Sequence, residues 1–174
     1  MKRSKQDTIL QSVARLSLPP IAAIGMDESN IGEMQTSSQL IIGSRQLRQI
    51  INHALRGHPY EVCGLAGGRD WQVETVVEVP NASLTPQYSF EMEQQGMVDV
   101  IISFQRAGQE VVAIYHSHPD GEAIPSQHDI NQVTWPDAVY LIVGLTDPQA
   151  PDVRGWMIRR ENAKPVEVEL VLTD

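Results

Sequence analysis

Apolar positions recur at helical spacing in two stretches of the chain and cluster into short, nearly continuous runs elsewhere. Leu40-Ile41-Ile42 is one such run and predicts a strand. Ser44 then offers an N-cap, and Leu47, Ile50, Ile51, Ala54 and Leu55 follow every third or fourth residue. That predicts a helix, ended by Gly57 and Pro59. Met97, Val98, Ile101, Ile102 and Phe104 predict a second helix over 92–107. Further strands are expected at 61–68, 71–79, 86–90, 110–116, 138–145, 153–160 and 165–172. Gly67-Gly68-Arg69-Asp70 reads as the hairpin turn between the first two of these, and a short helix is expected from Ser126. Two long helices among many strands, with no internal repeat, indicate an α/β sheet domain.

Residues 1–38 break this pattern. They hold Pro19-Pro20, the polar run Met26-Asp27-Glu28-Ser29-Asn30 and Thr36-Ser37-Ser38, and read as a disordered extension ahead of a domain spanning 39–174. Within the extension, Ile9, Leu10, Val13 and Leu16 share one face of a potential short helix. Its basic start (Lys2, Arg3, Lys5) precedes an apolar stretch broken by Gln11, Ser12, Arg15, Pro19 and Pro20, which argues against a signal peptide. No stretch has the roughly 18 apolar residues of a membrane span.

Charge narrows the partners. With 22 acidic and 13 basic side chains the net charge is −9, which disfavours nucleic-acid binding. The single cysteine, Cys63, excludes an internal disulfide and fits a reducing compartment, so the cytoplasm is the expected location. Cys63 itself, in an apolar run, is expected as a buried thiol.

The chemistry concentrates in His116-Ser117-His118-Pro119, followed by a six-residue loop and Ser126-Gln127-His128-Asp129. Residues i and i+2 of a strand face the same side, so His116 and His118 can present both imidazoles to one point. Pro119 lacks an N–H and ends the strand. Ser126 and Asp129 have the spacing of a capping box, which would hold the Asp129 carboxylate at a helix start. Two histidines and a carboxylate leave one tetrahedral position for water, as a catalytic zinc site requires. Glu61, opening Glu61-Val62-Cys63-Gly64-Leu65, is the candidate base for that water, and Ser126 a candidate donor to the developing oxyanion.

This pattern of an upstream glutamate, His-Ser-His-Pro, six residues and Ser-x-x-Asp resembles the motif of the JAMM/MPN metallopeptidases. The resemblance covers about residues 40–172. It implies a curved β-sheet flanked by helices, with cytidine-deaminase-like architecture. It implies zinc ligated by His116, His118 and Asp129, with Glu61 and Ser126 catalytic. It further implies hydrolysis after the C-terminal Gly-Gly of a ubiquitin-like or β-grasp sulfur-carrier protein, as in short prokaryotic members. An extended tail of that kind is expected to add to a sheet edge.

Other readings stand beside this one. A non-catalytic MPN-type scaffold normally lacks part of the metal set, and a RadC-like protein shares a similar His-x-His-Pro signature. A zinc deaminase needs a Cys-x-x-Cys pair that one cysteine cannot provide. His128 points about 100° away from Asp129 on a helix and is not expected to ligate. His53 and His58 are expected at the surface. Asp120 and Glu122 are expected to be solvated loop residues.

Overall fold

The computed structural model describes residues 39–159 and 164–174; the N-terminal extension lies outside the described residues. The elements run β1 (Gln39–Gly43), α1 (Ser44–Gly57), β2 (Cys63–Arg69), β3 (Gln72–Val79), α2 (Gln94–Arg106), β4 (Glu110–His118), α3 (Gln127–Asn131), β5 (Val139–Gly144), β6 (Asp152–Met157) and β7 (Val166–Thr173). The strands form one curved mixed sheet in the order β1-β3-β2-β4-β5-β6-β7, and its curvature is enough to close it. Closure comes from β7 pairing parallel to β1, with Gln39 opposite Glu169 and Gly43 opposite Thr173. Among the described residues, no helix is long and apolar enough to cross a membrane.

Alternation along the strands separates two apolar clusters. Tyr115, Leu141 and Val143 pack with Ile50 and Ala54 of α1. Ile114, Tyr140 and Ile142 pack with Val100 and Phe104 of α2. Both sides of β5 are therefore covered, which is why it reads as an unbroken apolar run.

Sheet closure bears on the expected addition of a tail to a sheet edge. The outer edge of β3 is paired with β1 only at Ile41–Gln72 and Ile42–Val73. Beyond that point α1 covers it. Gln46 Nε2 donates to the Glu74 carbonyl at 3.2 Å, and Gln49 Nε2 donates to the Val76 carbonyl at 3.1 Å. Two residues further along, Arg56 binds the Glu78 carboxylate at 2.6 Å. α1 thus occupies part of the outer edge of β3 along which such a tail could lie.

Several local expectations shift. The N-cap of α1 is Gly43, which makes no side-chain cap; Ser44 is already helical. The β2–β3 turn is Asp70-Trp71, both at positive φ (49° and 62°), not the glycine pair upstream. Gly67 and Gly68 lie inside β2 at a register shift. They are needed there for close approach: a Cβ on Gly67 would sit 2.7 Å from the Phe104 ring, and one on Gly68 would overlap the Gln72 carbonyl oxygen. Residues 86–90 form no strand. Hydroxyls instead tie that segment into a folded loop, with Ser83 and Ser89 Oγ 2.6 Å apart and Ser89 N–H donating to the Thr85 carbonyl at 3.1 Å.

The two helix-end histidines part company. His58 stays at the surface, its side chain 40% exposed and 3.8 Å from Asp120. The His53 side chain is only 14% exposed. Its Nδ1 lies 2.9 Å from the Tyr115 hydroxyl, and burial pushes its pKa down. The helical period turns residue 53 inward, toward the sheet. Cys63 is fully buried, and burial pushes its thiol up to about 12.

Candidate active site

β4 runs through to His118, so Pro119 follows its last residue. His116 and His118 fall on the same side as Ile114, toward α2, as strand alternation requires. Their Nε2 atoms are 3.0 Å apart. His116 is fully buried, whereas the His118 side chain keeps 13% exposure. The Ser117 side chain between them points the other way, and its Oγ accepts from the Val62 N–H at 3.0 Å. The Ser117 N–H donates to the Val62 carbonyl at 3.1 Å. These two bonds fasten the segment carrying Glu61 to β4.

The third member arrives through α3. Ser126 caps that helix and forms a reciprocal capping box with Asp129. Asp129 Oδ2 accepts from the Ser126 N–H and hydroxyl, each at 2.7 Å. Asp129 is 5% exposed, with Oδ1 3.2 Å from His116 Nε2 and Oδ2 3.3 Å from His118 Nε2. Burial alone would raise its pKa. Hydrogen bonds with His116, His118 and Ser126 outweigh burial and hold the carboxyl well below the usual range. Burial pushes His116 down. In His118 burial is outweighed by Asp129 and by the Glu122 carbonyl, so its pKa rises.

Glu61 sits just ahead of β2 and is 7% exposed. Its N–H donates to the Pro86 carbonyl at 2.7 Å, and its carbonyl accepts from Asn81 Nδ2 at 2.9 Å. Burial pushes its carboxyl up to about 7, against a lowering from His118 and with a further push from Asp129. Oε2 is buried without a hydrogen-bond partner. A buried carboxylate oxygen left open in this way is costly unless something arrives to use it.

The donor set fits a tetrahedral metal ion. A ligand atom from each of His116, His118 and Asp129 lies within 4.8 Å of the others. Zn–N bonds of about 2.0–2.1 Å place tetrahedral ligand atoms about 3.3–3.4 Å apart, close to the separations above. His128, one residue before Asp129, is exposed and does not join the group.

The loop between His118 and Ser126 rests on Gly144, the β5 partner of His118. A Cβ there would lie 2.5 Å from the Ala123 nitrogen and 2.8 Å from the Glu122 carbonyl carbon. Those are backbone atoms and cannot swing aside. The Glu122 carbonyl accepts from His118 Nδ1 at 2.8 Å, and the Ala123 carbonyl accepts from Trp156 Nε1 at 2.9 Å. Gly144→Ala is therefore expected to cost about 1–3 kcal/mol through overpacking and to weaken metal binding by displacing the His118 partner. Thermal melting of the metal-free variant, followed by a zinc titration, checks both effects.

Residues Asn81, Ser117 and Gly144 act on this site through the folded chain, and periodicity gave no sign of them. The segment 43–159 matches the family described as prokaryotic homologs of the JAB domain. The chain is 35% identical over 113 residues to a protein of Haloferax volcanii named desampylase, covering 62% of this chain and 81% of that one. It is 31% identical over 121 residues to the CysO-cysteine peptidase of Mycobacterium tuberculosis, covering 68% of this chain and 82% of that one. A solution structure of a protein from Desulfitobacterium hafniense superposes with a TM-score of 0.70 at 28% identity, covering 78% of this chain and 93% of that one. The matched segment contains both long helices, β2 to β6, and every residue of the cluster just described. This chain belongs to the family of prokaryotic homologs of the JAB domain.

Proposed function

We propose that the protein is a zinc metallopeptidase that hydrolyses the bond after the C-terminal Gly-Gly of a ubiquitin-like or β-grasp sulfur-carrier protein. One observation carries this reading: His116, His118 and Asp129 converge in the protein interior beside a glutamate with an unpartnered oxygen. Relatives named desampylase and CysO-cysteine peptidase support the substrate class. His116 Nε2, His118 Nε2 and the Asp129 carboxylate would hold the zinc. When bound, zinc supplies Lewis acidity and makes water acidic enough to ionise near neutral pH.

The remaining roles belong to the chain. Glu61 accepts the proton of the attacking water at its open oxygen and delivers it to the leaving amine. Burial raises its carboxyl pKa in the metal-free chain, and a bound cation beside it would lower it again, favouring the carboxylate that takes the proton. Ser126, exposed at the mouth, donates to the oxyanion. Its proton rests on Asp129 in the present structure, so the hydroxyl turns to reach the substrate. Ser126→Ala is expected to lower kcat about 100-fold and stability by about 1 kcal/mol through the lost cap. Kinetics and a melting curve on one preparation separate the two losses.

The test of the whole reading is cleavage of a β-grasp sulfur carrier extended by cysteine after Gly-Gly. Zinc-loaded wild type should release cysteine, and Glu61→Ala should not. Failure of wild type to cleave this carrier, or any other Gly-Gly extension offered in its place, would refute the substrate assignment.

A further inference from the structure

The two histidines of the cluster are held by different means. His118 Nδ1 donates to the Glu122 carbonyl at 2.8 Å, which sets its tautomer and turns Nε2 toward Asp129. His116 is fully buried, and its Nδ1 has no hydrogen-bond partner. A metal-ligating histidine almost always gives its second ring nitrogen to a carboxylate or carbonyl, and that bond fixes the ring. In place of such a bond, His116 has an aromatic ring lying on its face. The Phe90 and His116 centroids are 4.5 Å apart and the planes meet at 22°.

Phe90 is itself held on both sides. Asn81 Nδ2 donates to the Ser89 carbonyl at 3.1 Å, and Asn81 Oδ1 accepts from the Glu91 N–H at 3.0 Å. The Glu91 carbonyl accepts from the Ala82 N–H at 2.7 Å. The same Asn81 amide donates to the Glu61 carbonyl. One side chain thus joins the backbone of the candidate base to the loop that carries the aromatic ring.

We propose that Phe90 is a positioning residue for His116, its ring supplying the orientation that a hydrogen bond at Nδ1 would otherwise give, with Asn81 setting the ring in place. The inference rests on the reading of His116 as a metal ligand. A stacked aromatic pair contributes about as much as a neutral hydrogen bond, and so can hold the ring, while the buried Nδ1 stays unpaired. It also suits the chemistry, because a ring face restricts tilt and leaves the charge on the imidazole unaltered.

The experiment compares zinc dissociation constants, read by competition with a chromophoric chelator, for wild type, Phe90→Leu and Phe90→Tyr. Phe90→Leu should weaken zinc about tenfold or more, whereas Phe90→Tyr, which keeps the flat face, should stay within about twofold. The visible absorption of the cobalt(II)-loaded proteins should be shared by wild type and Phe90→Tyr and altered in Phe90→Leu. A purely structural role would lower the melting temperature of the metal-free variant and leave the zinc constant unmoved. Phe90→Met fills the same space without a flat face and serves if the leucine variant does not fold. Wild-type zinc affinity in Phe90→Leu or Phe90→Met would overturn the proposal while leaving the metal site standing. Absence of zinc binding by wild type would remove the metal reading and this inference together.

Discussion

Replacing Glu61 with glutamine is expected to destroy activity and make the metal-free protein more stable. The first effect follows from the role proposed for the carboxylate. An amide of the same shape cannot take a proton from water, and loss of a general base that also serves as the acid should cost about a thousandfold or more in kcat. The second follows from burial. Glu61 is 7% exposed, and its carboxyl is pushed from 4.5 up to about 7. A raised carboxyl pKa means that ionisation is harder in the folded chain than in the unfolded one. The resulting penalty is absent below about 4.5, grows between about 4.5 and 7, and is complete above about 7. Its full size is about 3 kcal/mol at 1.36 kcal/mol per unit. The glutamine amide, left without a partner, returns about 1–2 kcal/mol of that. A net gain of about 1–2 kcal/mol should raise the melting temperature of the metal-free protein by about 3–6 °C above pH 7. Below about pH 4.5, where the ionisation penalty is gone and the cost of the unpartnered amide remains, Glu61→Gln should instead melt below wild type, by about the same margin. Melting curves across that pH range, beside turnover of a Gly-Gly-extended carrier, test both halves.

Zinc should stabilise the wild-type protein by a comparable or larger margin, and Asp129→Asn should abolish that gain. A ligand at about 100 times its dissociation constant adds about 2.7 kcal/mol, which is about 5–10 °C for a chain of this length. Asparagine keeps the size of the side chain and an oxygen for the Ser126 N–H, so α3 retains its cap. It removes the charge that two imidazoles and the Ser126 hydroxyl now face. The metal-free variant should also lose an acid dependence. A depressed carboxyl pKa contributes stability that is present above about 3.9 and lost as pH falls through the folded value. Wild type should show this loss on acidification and Asp129→Asn should not. Zinc-dependent melting in Asp129→Asn equal to wild type would exclude Asp129 from the ligand set.

The legible part of the site is local. His116, His118, Ser126 and Asp129 lie within one strand, one loop and one helix turn, and strand alternation plus capping-box spacing suffice to bring them together. The JAMM/MPN resemblance read from that segment agrees with the family match and the curved, helix-flanked sheet. What escaped the sequence depends on approach between distant segments. Asn81 reaches four backbone groups from a loop that read as a strand at 86–90. Gly67-Gly68 resembled a turn because glycine pairs usually mark one, whereas here the missing side chains admit Phe104 and a neighbouring backbone. His53 resembled a surface residue on a helix whose buried side could be judged only once the sheet was in place. Sheet closure was equally hidden, because the pairing of β1 with β7 joins the far ends of the described chain.

That closure constrains how the chain can be made. The strand that seals the ring, residues 166–173, is synthesised after every other strand of the ring. Until it leaves the ribosome, β1 and β6 each lack a partner, and the ring stands open on two sides. Pairing over so long a stretch of sequence is slow to form, and open strand edges invite association with other chains. A nascent chain stalled before residue 166 should therefore be a chaperone client, and release of residues 166–173 should end that dependence.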